Sequence, residues 1–173
     1  MWKCLVLLFL LTGCAVQYKV PTSGDTANVR IGTRVGNDHT WVYGYSNAQC
    51  DDKKTWLRLI GEPMASWAES SKRLGMPLWD YPNGAAHEIL VPANKAQYIM
   101  AVQNHYTFKC GTFISHTFDK NKDYEIIIGD QHRCSASIYE IVPTSEQAAD
   151  FKRALIKTVS MVDGVSQACK DKF

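Results

Sequence analysis

The sequence predicts a mainly β protein, an antiparallel β-sandwich or meander of about seven or eight strands with a C-terminal α-helix packed on it. Residues 26–35 alternate between apolar and polar side chains, which is the period of a half-buried strand. Five further β-type runs, separated by short polar turns, lie between residues 87 and 142. A length of 173 residues predicts one domain with a single core.

The N-terminal segment has the three parts of an export signal. Lys3 supplies a positive charge, residues 4–11 form an apolar run, and small Thr12 and Gly13 precede Cys14. An apolar helix of this length, at about 1.5 Å per residue, covers roughly half of a ~30 Å hydrocarbon core. We therefore predict that residues 1–13 are a signal peptide that is removed, and not a transmembrane anchor.

The four residues Leu11-Thr12-Gly13-Cys14 resemble the lipobox of bacterial lipoproteins. The resemblance implies that the Cys14 thiol receives a diacylglyceryl group, that the signal is cut before Cys14, and that the new amine is acylated. Several acyl chains on one residue give stable anchoring. Ala15 stands where an aspartate would mark inner-membrane retention in many enteric bacteria. The resemblance therefore favours a lipid anchor in the outer membrane, facing the periplasm.

The mature chain is predicted to begin with a lipidated tether over residues 14–25, followed by one β-rich periplasmic domain over residues 26–173. Pro21, Ser23 and Gly24 are typical of an irregular linker. Fully stretched, such a tether reaches about 35 Å.

The first half of the domain predicts two strands, a third ambiguous segment and a short helix. Asn37-Asp38 separates the strand over 26–35 from a second strand over 39–46, so we expect a hairpin. Residues 53–60 fit either a strand or the edge of a helix. Residues 61–75 fit a short helix, because Pro63 suits a first turn and Gly75 an end. Residues 76–85 are predicted to form a loop.

The second half predicts the meander and the closing helix. The five β-type runs are expected to pair in sequence order. Thr144 with Gln147 fits a capping box, and the apolar face of the predicted helix is formed by Ala148, Phe151, Leu155, Val159 and Val162, before Gly164. We expect that face to pack on the sheet.

Six cysteines become four once Cys4 leaves with the signal and Cys14 is lipidated. The remaining Cys50, Cys110, Cys134 and Cys169 contain no C-x-x-C spacing, and an exported domain favours disulfides over zinc. Three connectivities are possible, and we favour two bridges. Cys110–Cys134 brackets a predicted hairpin, and Cys50–Cys169 would tie the end of the helix to the early sheet.

The sequence contains no recognisable catalytic constellation. It has no G-x-S-x-G and no S-x-x-K, and the histidines lack H-E-x-x-H spacing. A site of His105, His116 and His132 remains an alternative to ordinary strand histidines. Residues 119–125 resemble a calcium loop except that Tyr124 replaces the required glycine, so a hairpin turn is favoured. We predict no catalytic residue, no metal and no cofactor.

Aromatic and acidic side chains provide weaker candidates. Trp41, Tyr43 and Tyr45 share one strand face, as core residues or as a platform for sugar rings. Trp79 and Tyr81, in the predicted loop, are the better exposed candidates for glycan binding. A glycosidase-like pair of carboxylates could come from Asp51, Asp52, Asp80 and Glu88, at a separation that sequence alone does not give.

The charge balance and a second resemblance lead to the functional expectation. With 19 basic and 17 acidic residues interspersed, no nucleic-acid partner is predicted. The spacing of Cys110, Phe118, Tyr124 and Cys134 and the strand count resemble small disulfide-bearing β-sandwich lipoproteins of proteobacterial envelopes. That resemblance implies a non-enzymatic binding or assembly module for an envelope protein or glycan. The alternatives are a cell-wall hydrolase and an inhibitor or immunity lipoprotein.

Overall fold

The computed structural model describes residues 18–34, 39–60, 71–82, 84–104, 109–129, 134–145 and 150–160. These residues form nine β-strands in two sheets, and the described part of the chain contains no helix. The prediction of a mainly β fold is confirmed. The strands are β1 Thr26–Thr33, β2 His39–Tyr45, β3 Lys54–Ile60, β4 Ala86–Pro92, β5 Ala96–Asn104, β6 Lys109–Thr117, β7 Asp123–Ile128, β8 Ser135–Pro143 and β9 Phe151–Ser160.

The two sheets have different strand orders. The five-stranded sheet runs β4-β1-β7-β8-β9, and the four-stranded sheet runs β3-β2-β5-β6. β1 and β7 pair in parallel in the middle of the larger sheet. The other paired strands are antiparallel.

The hydrophobic core lies between the sheets, because alternate residues of each strand point inward. In β1 the inward residues are Ala27, Val29 and Ile31, all almost fully buried. The same cluster contains Val42, Trp56, Leu59, Ile89, Val91, Ile99, Ala101, Ile114, Phe118, Tyr124, Ile126, Ile128, Ala136 and Ile138. The alternation that predicts β1 therefore also identifies its core face correctly.

The predicted pairing of successive strands is only partly right. The expected hairpin between residues 26–35 and 39–46 is wrong, because β1 belongs to the five-stranded sheet and β2 to the four-stranded sheet. Within the expected meander, β5–β6 and β7–β8 pair as predicted. β4–β5 and β6–β7 instead cross from one sheet to the other. Alternation sets which face of a strand is buried and leaves the identity of its partner open.

The predicted C-terminal helix is wrong over residues 151–160, which form strand β9 along β8. Phe151, Leu155 and Val159 are four apart, as on a helix face, but they do not share one face here. An extra residue, Ile156, interrupts the register, and such a bulge changes which side chains point inward. Val159 packs on the core, whereas Leu155 is 53% exposed. Residues 146–149 and 161–164 of the predicted helix lie outside the described residues.

The two remaining segments of the first half are partly described. Residues 53–60, left open between strand and helix, form β3 from Lys54 onward. Of the helix predicted over 61–75, residues 61–70 lie outside the described residues, and residues 71–75 have no helical structure. Within the part of the chain that the structure describes, no helix has the length and apolar character needed to cross a membrane.

The predicted tether is fastened to the domain before its end. Tyr18 packs edge-on against Trp56, with ring centroids 5.1 Å apart. The Tyr18 hydroxyl donates a hydrogen bond to the Leu90 carbonyl over 2.7 Å, and burial raises the pKa of Tyr18 to about 12. The chain is therefore held against β3 and β4 from residue 18 onward.

Candidate functional site

The outer faces of the two sheets carry two candidate features. The first is a buried ionic cluster. It lies on the outer face of the five-stranded sheet, beneath residues 71–82, which we call the strap. Arg30, on the outward side of β1, is fully buried. Its guanidinium donates to the carbonyls of Met76, Pro77 and Leu78 at 3.0, 2.6 and 3.0 Å. Arg30 thereby holds the strap on the sheet.

The Glu88 carboxylate holds the same strap from β4. Its Oε1 accepts hydrogen bonds from Arg30 Nε and Nη2 at 3.2 and 2.8 Å. Its Oε2 accepts from the successive backbone amides of Leu74, Gly75 and Met76, an arrangement that binds anions. Burial alone raises the pKa of Glu88, but the bonds from Arg30 and these amides outweigh it, so the pKa lies below its ordinary value.

A second buried carboxylate completes the cluster. Glu125, on β7, accepts a hydrogen bond from Arg30 Nη1 at 3.0 Å and pairs with Arg153 of β9. The bond to Glu125 raises the pKa of Arg153. Because Arg30 makes six hydrogen bonds with its five N–H groups, it has no donor left for a ligand. We call the cluster of Arg30, Glu88, Glu125 and Arg153 the strap clamp, because it holds the strap on the sheet.

At the rim of the cluster, Asp80 bridges two arginines. It accepts hydrogen bonds from Arg34 at 3.0 Å and from Arg153 at 2.8 Å. Burial acts to raise the pKa of Asp80, but these two bonds lower it overall. Asp80 is thus held as an ionised partner of the strap clamp.

The predicted glycan-binding aromatics Trp79 and Tyr81 belong to this strap. Tyr81 was expected to be exposed, and that expectation is wrong, since it is 7% exposed and lies directly over Gly32. Burial raises the pKa of Tyr81. The guanidiniums of Arg30 and Arg73 lie over the half-buried Trp79 ring, at 5.3 and 4.4 Å from its centroid. Both aromatics belong to the contacts of the strap, and the buried Tyr81 ring is not accessible to a sugar.

The candidate carboxylates do not meet in one accessible cleft of the described residues. Asp51 and Asp52 are exposed in the β2–β3 connection, where they accept hydrogen bonds from Asn47 and Ser46. Glu88 and Asp80 lie in the strap clamp on the other sheet. Glycoside hydrolysis needs two carboxyl groups on either side of a sugar ring, and this arrangement does not present such a pair.

The histidines described by the structure form no metal site. His116 packs edge-on against Phe118 and Tyr124, with centroids 4.8 and 5.8 Å away. Burial, and then the nearby charge of Lys157, lower the pKa of His116. His87 Nδ1 accepts a hydrogen bond from the Lys72 amide. No group of three metal-ligating side chains occurs among the described residues, and His105 and His132 lie outside them.

The second feature is the outer face of the four-stranded sheet, which we call the aromatic face. Its side chains belong to β2, β5 and β6: Trp41, Tyr43, Tyr45, Tyr98, Met100, Val102 and Phe113. Trp41 stands opposite Val102, Tyr43 opposite Met100, and Tyr45 opposite Tyr98. The side chains between them, such as Val42, point into the core. The stripe predicted from Trp41, Tyr43 and Tyr45 therefore lies outside the core between the sheets.

The aromatic face has a buried centre and a more open border. Tyr45, Met100, Val102 and Phe113 are buried, whereas Trp41, Tyr43 and Tyr98 are partly buried against them. Tyr98 stacks on Phe113 with centroids 6.3 Å apart, and Lys53 Nζ lies 3.9 Å from the Tyr43 ring centroid. Burial raises the pKa values of Tyr43 and Tyr45. These phenols therefore stay neutral and provide contact area and hydrogen bonding.

The predicted disulfide Cys110–Cys134 is confirmed, with the Cα atoms 5.8 Å apart. The geometry expected for it is wrong. Cys110 lies in β6 of the four-stranded sheet, and Cys134 immediately precedes β8 of the five-stranded sheet, so the bond joins the two sheets. Cys50 is also disulfide-bonded. Its partner lies outside the described residues, and the pairing with Cys169 stays a prediction.

No protein-family model matches the chain, and no curated protein matches its sequence.

The residues of the strap clamp that the sequence did not single out are Arg30, Glu125 and Arg153. Arg30 and Glu125 occupy ordinary polar positions of predicted strands, and Arg153 lies in the segment predicted as a helix, so no local signal distinguishes them from exposed residues.

Proposed function

We propose that this chain is a lipoprotein of the bacterial envelope, anchored in the outer membrane by lipid on Cys14 and facing the periplasm. In this proposal its domain is a non-enzymatic binding or assembly module that contacts an envelope protein or glycan through the aromatic face. The observation that carries the binding role is the placement of Trp41, Tyr43 and Tyr98 at the border of an outward sheet face.

The chemistry of that border suits recognition. Tyrosine and tryptophan are enriched at the energetic centres of protein interfaces, and their rings also stack on sugars. The border aromatics are held by the sheet and pack against Met100 and Phe113 on the same face, so little conformational entropy is lost on binding. The Lys53 ammonium near Tyr43 and the exposed Asp51 and Asp52 that precede it place charges of both signs beside this border.

The absence of catalysis in this proposal is supported by the strap clamp. Its carboxylates, Glu88 and Glu125, are fully buried and paired with arginine, so neither can reach a substrate in this arrangement. The exposed acids Asp51 and Asp52 adjoin the other sheet. The hydrolase alternative therefore receives no specific support from the described residues.

The binding role is tested with the double variant Trp41→Ala/Tyr98→Ala and the control Leu155→Ala, which removes an exposed side chain of β9. Each purified protein is cross-linked in envelope extracts and, separately, sedimented with purified peptidoglycan. A partner retained by wild type and control but lost by the double variant supports the proposal, and the fraction in which it occurs distinguishes protein from glycan. Equal recovery with all three proteins would contradict it.

The anchor is tested by Cys14→Ser, because serine cannot form the thioether. Metabolic labelling with a fatty acid should mark the wild-type protein and leave the variant unlabelled as a precursor. Equal labelling of both proteins would remove the lipoprotein assignment and leave the aromatic face as a separate question.

A further inference from the structure

The free edge of β4 brings two distant segments of the chain together. β4 is the end strand of the five-stranded sheet. Along its outer edge the Leu90 carbonyl accepts the Tyr18 hydroxyl bond, and the Glu88 amide donates to the Lys72 carbonyl over 2.8 Å. Residues 88 and 90 are two apart on the strand, which is about 7 Å. Residues 72–74, held by a backbone bond, and residues 18–20, held through the Tyr18 side chain, are therefore both fastened along this edge.

These two segments form a surface of distinct composition, which we call the basic edge. Its exposed side chains are Lys19, Val20, Lys72, Arg73 and Leu74. Val20 and Leu74 are 36% and 40% exposed, and they are two of the four exposed large hydrophobic residues in the described part of the chain. Neither segment contains an acidic residue. Apolar side chains beside lysine and arginine are typical of surfaces that contact anionic lipid.

The docking of Tyr18 limits how far this edge can lie from a lipid on Cys14. From Cys14 to Tyr18 the chain has four peptide steps, which span at most about 14 Å. The unattached tether expected from the sequence would have allowed about 35 Å. Because Tyr18 is fastened to Leu90 and Trp56, an anchored molecule keeps the β4 side of the sandwich near the membrane.

We propose that the basic edge lies against the lipid surface in which Cys14 is anchored. Val20 and Leu74 enter the headgroup region, and Lys19, Lys72 and Arg73 contact anionic headgroups. β4 is then the strand next to the membrane, and β9, four strand spacings away, is about 19 Å farther out. The inference rests on the lipidation of Cys14 in the proposed function.

The test measures amine labelling on the full-length lipidated protein, reconstituted in vesicles of phosphatidylethanolamine and phosphatidylglycerol. Labelling rates of single lysines are read by mass spectrometry and divided by the rates for the same lysines in urea. Lys19 and Lys72 should react at least about fivefold more slowly than exposed Lys152 of β9. A factor of about five corresponds to about 1 kcal/mol, the attraction of one basic residue to an anionic lipid surface.

A matched pair of variants assigns the protection to the basic edge. Arg73→Glu/Leu74→Asp should bring Lys19 labelling close to that of Lys152, whereas Leu155→Asp at the far edge should leave Lys19 protected. Intact mass reports the lipid on Cys14 in every sample. A protein without lipid would refute the anchor itself. A lipidated protein in which Lys19 and Lys72 react as fast as Lys152 would overturn the basic edge alone.

Discussion

Replacing Arg30 with methionine tests whether the strap clamp stabilises the fold. Arg30 is fully buried, and its loss removes the positive charge that pairs with the buried carboxylates of Glu88 and Glu125. Removing one partner of a buried ion pair costs about 3–5 kcal/mol. A domain of this size has about 5–15 kcal/mol of stability in total. We expect Arg30→Met to lose about 3–5 kcal/mol, a large share of that total.

Arg34→Met is the matched control. Arg34 follows β1, and its ion pair with Asp80 has side chains that are 40% and 45% exposed. Solvent screens such pairs, and their contribution is about 0–1 kcal/mol. Urea unfolding followed by circular dichroism gives both free energies. Limited trypsin digestion after Lys72 and Arg73 adds a local readout, because release of the strap exposes those peptide bonds.

The two variants together show whether the strap clamp stabilises the fold. A large loss with Arg30→Met, a small loss with Arg34→Met and faster cleavage of the strap in the first variant alone are expected. If Arg30→Met unfolds at the same urea concentration as wild type, the clamp does not stabilise the fold. If the loss occurs without faster strap cleavage, Arg30 stabilises the sheet and the strap is held by other contacts.

Three further results are expected. Glu88 and Asp80 have lowered pKa values in the folded protein. The stability that they contribute is therefore present above their ordinary pKa values of 4.5 and 3.8 and is lost as the pH falls below about 4. Urea unfolding at stepped pH should show a smaller loss of stability in acid for Glu88→Gln than for wild type. Cys110→Ala/Cys134→Ala should lose about 3–4 kcal/mol on the chain-entropy model, read by thermal melting against wild type. Purified protein should release no soluble muropeptides from peptidoglycan above a heat-killed control.

Most strand positions could be predicted from the sequence, because they follow from local patterns. The alternation around Val29 and Ile31 identifies β1 and its buried face. A polar segment after β7 identifies the β7–β8 hairpin, whereas residues 105–108 between β5 and β6 lie outside the described residues. Cys110 and Cys134 pair as expected, although the bond connects the sheets instead of bracketing a hairpin.

The sheet assignment and β9 could not be predicted in the same way. β1 pairs with β4 and β7, both far away in sequence, and local turns carry no information on such contacts. For residues 151–160, apolar positions four apart fit a helix as well as an interrupted strand. The open edge of β8 decides the outcome, because its backbone groups are satisfied by an extended neighbour.

The strap clamp depends on the same long-range pairing. Arg30 meets Glu88 because β1 pairs with β4 in the register Arg30 opposite Glu88, and it meets Glu125 because β1 pairs with β7 in the register Arg30 opposite Glu125. A shift of one residue in either register would move the carboxylate to the core face. The strap clamp thus depends on strand register, which local sequence patterns do not reveal.

Gly44 in β2 provides a last test that sequence alone would not suggest. A Cβ at this position would fall within the ring of Trp56, and Trp56 is a core residue on which Tyr18 packs. Gly44→Ala should therefore cost about 1–3 kcal/mol, the usual effect of overpacking, and should loosen Tyr18, measured by faster hydrogen exchange near residue 18. Gly24→Ala is the control, because nothing lies within 4 Å of its added Cβ and only its φ of +90° opposes alanine. Unchanged exchange near residue 18 in Gly44→Ala would show that Tyr18 is fastened by its bond to Leu90 without help from Trp56.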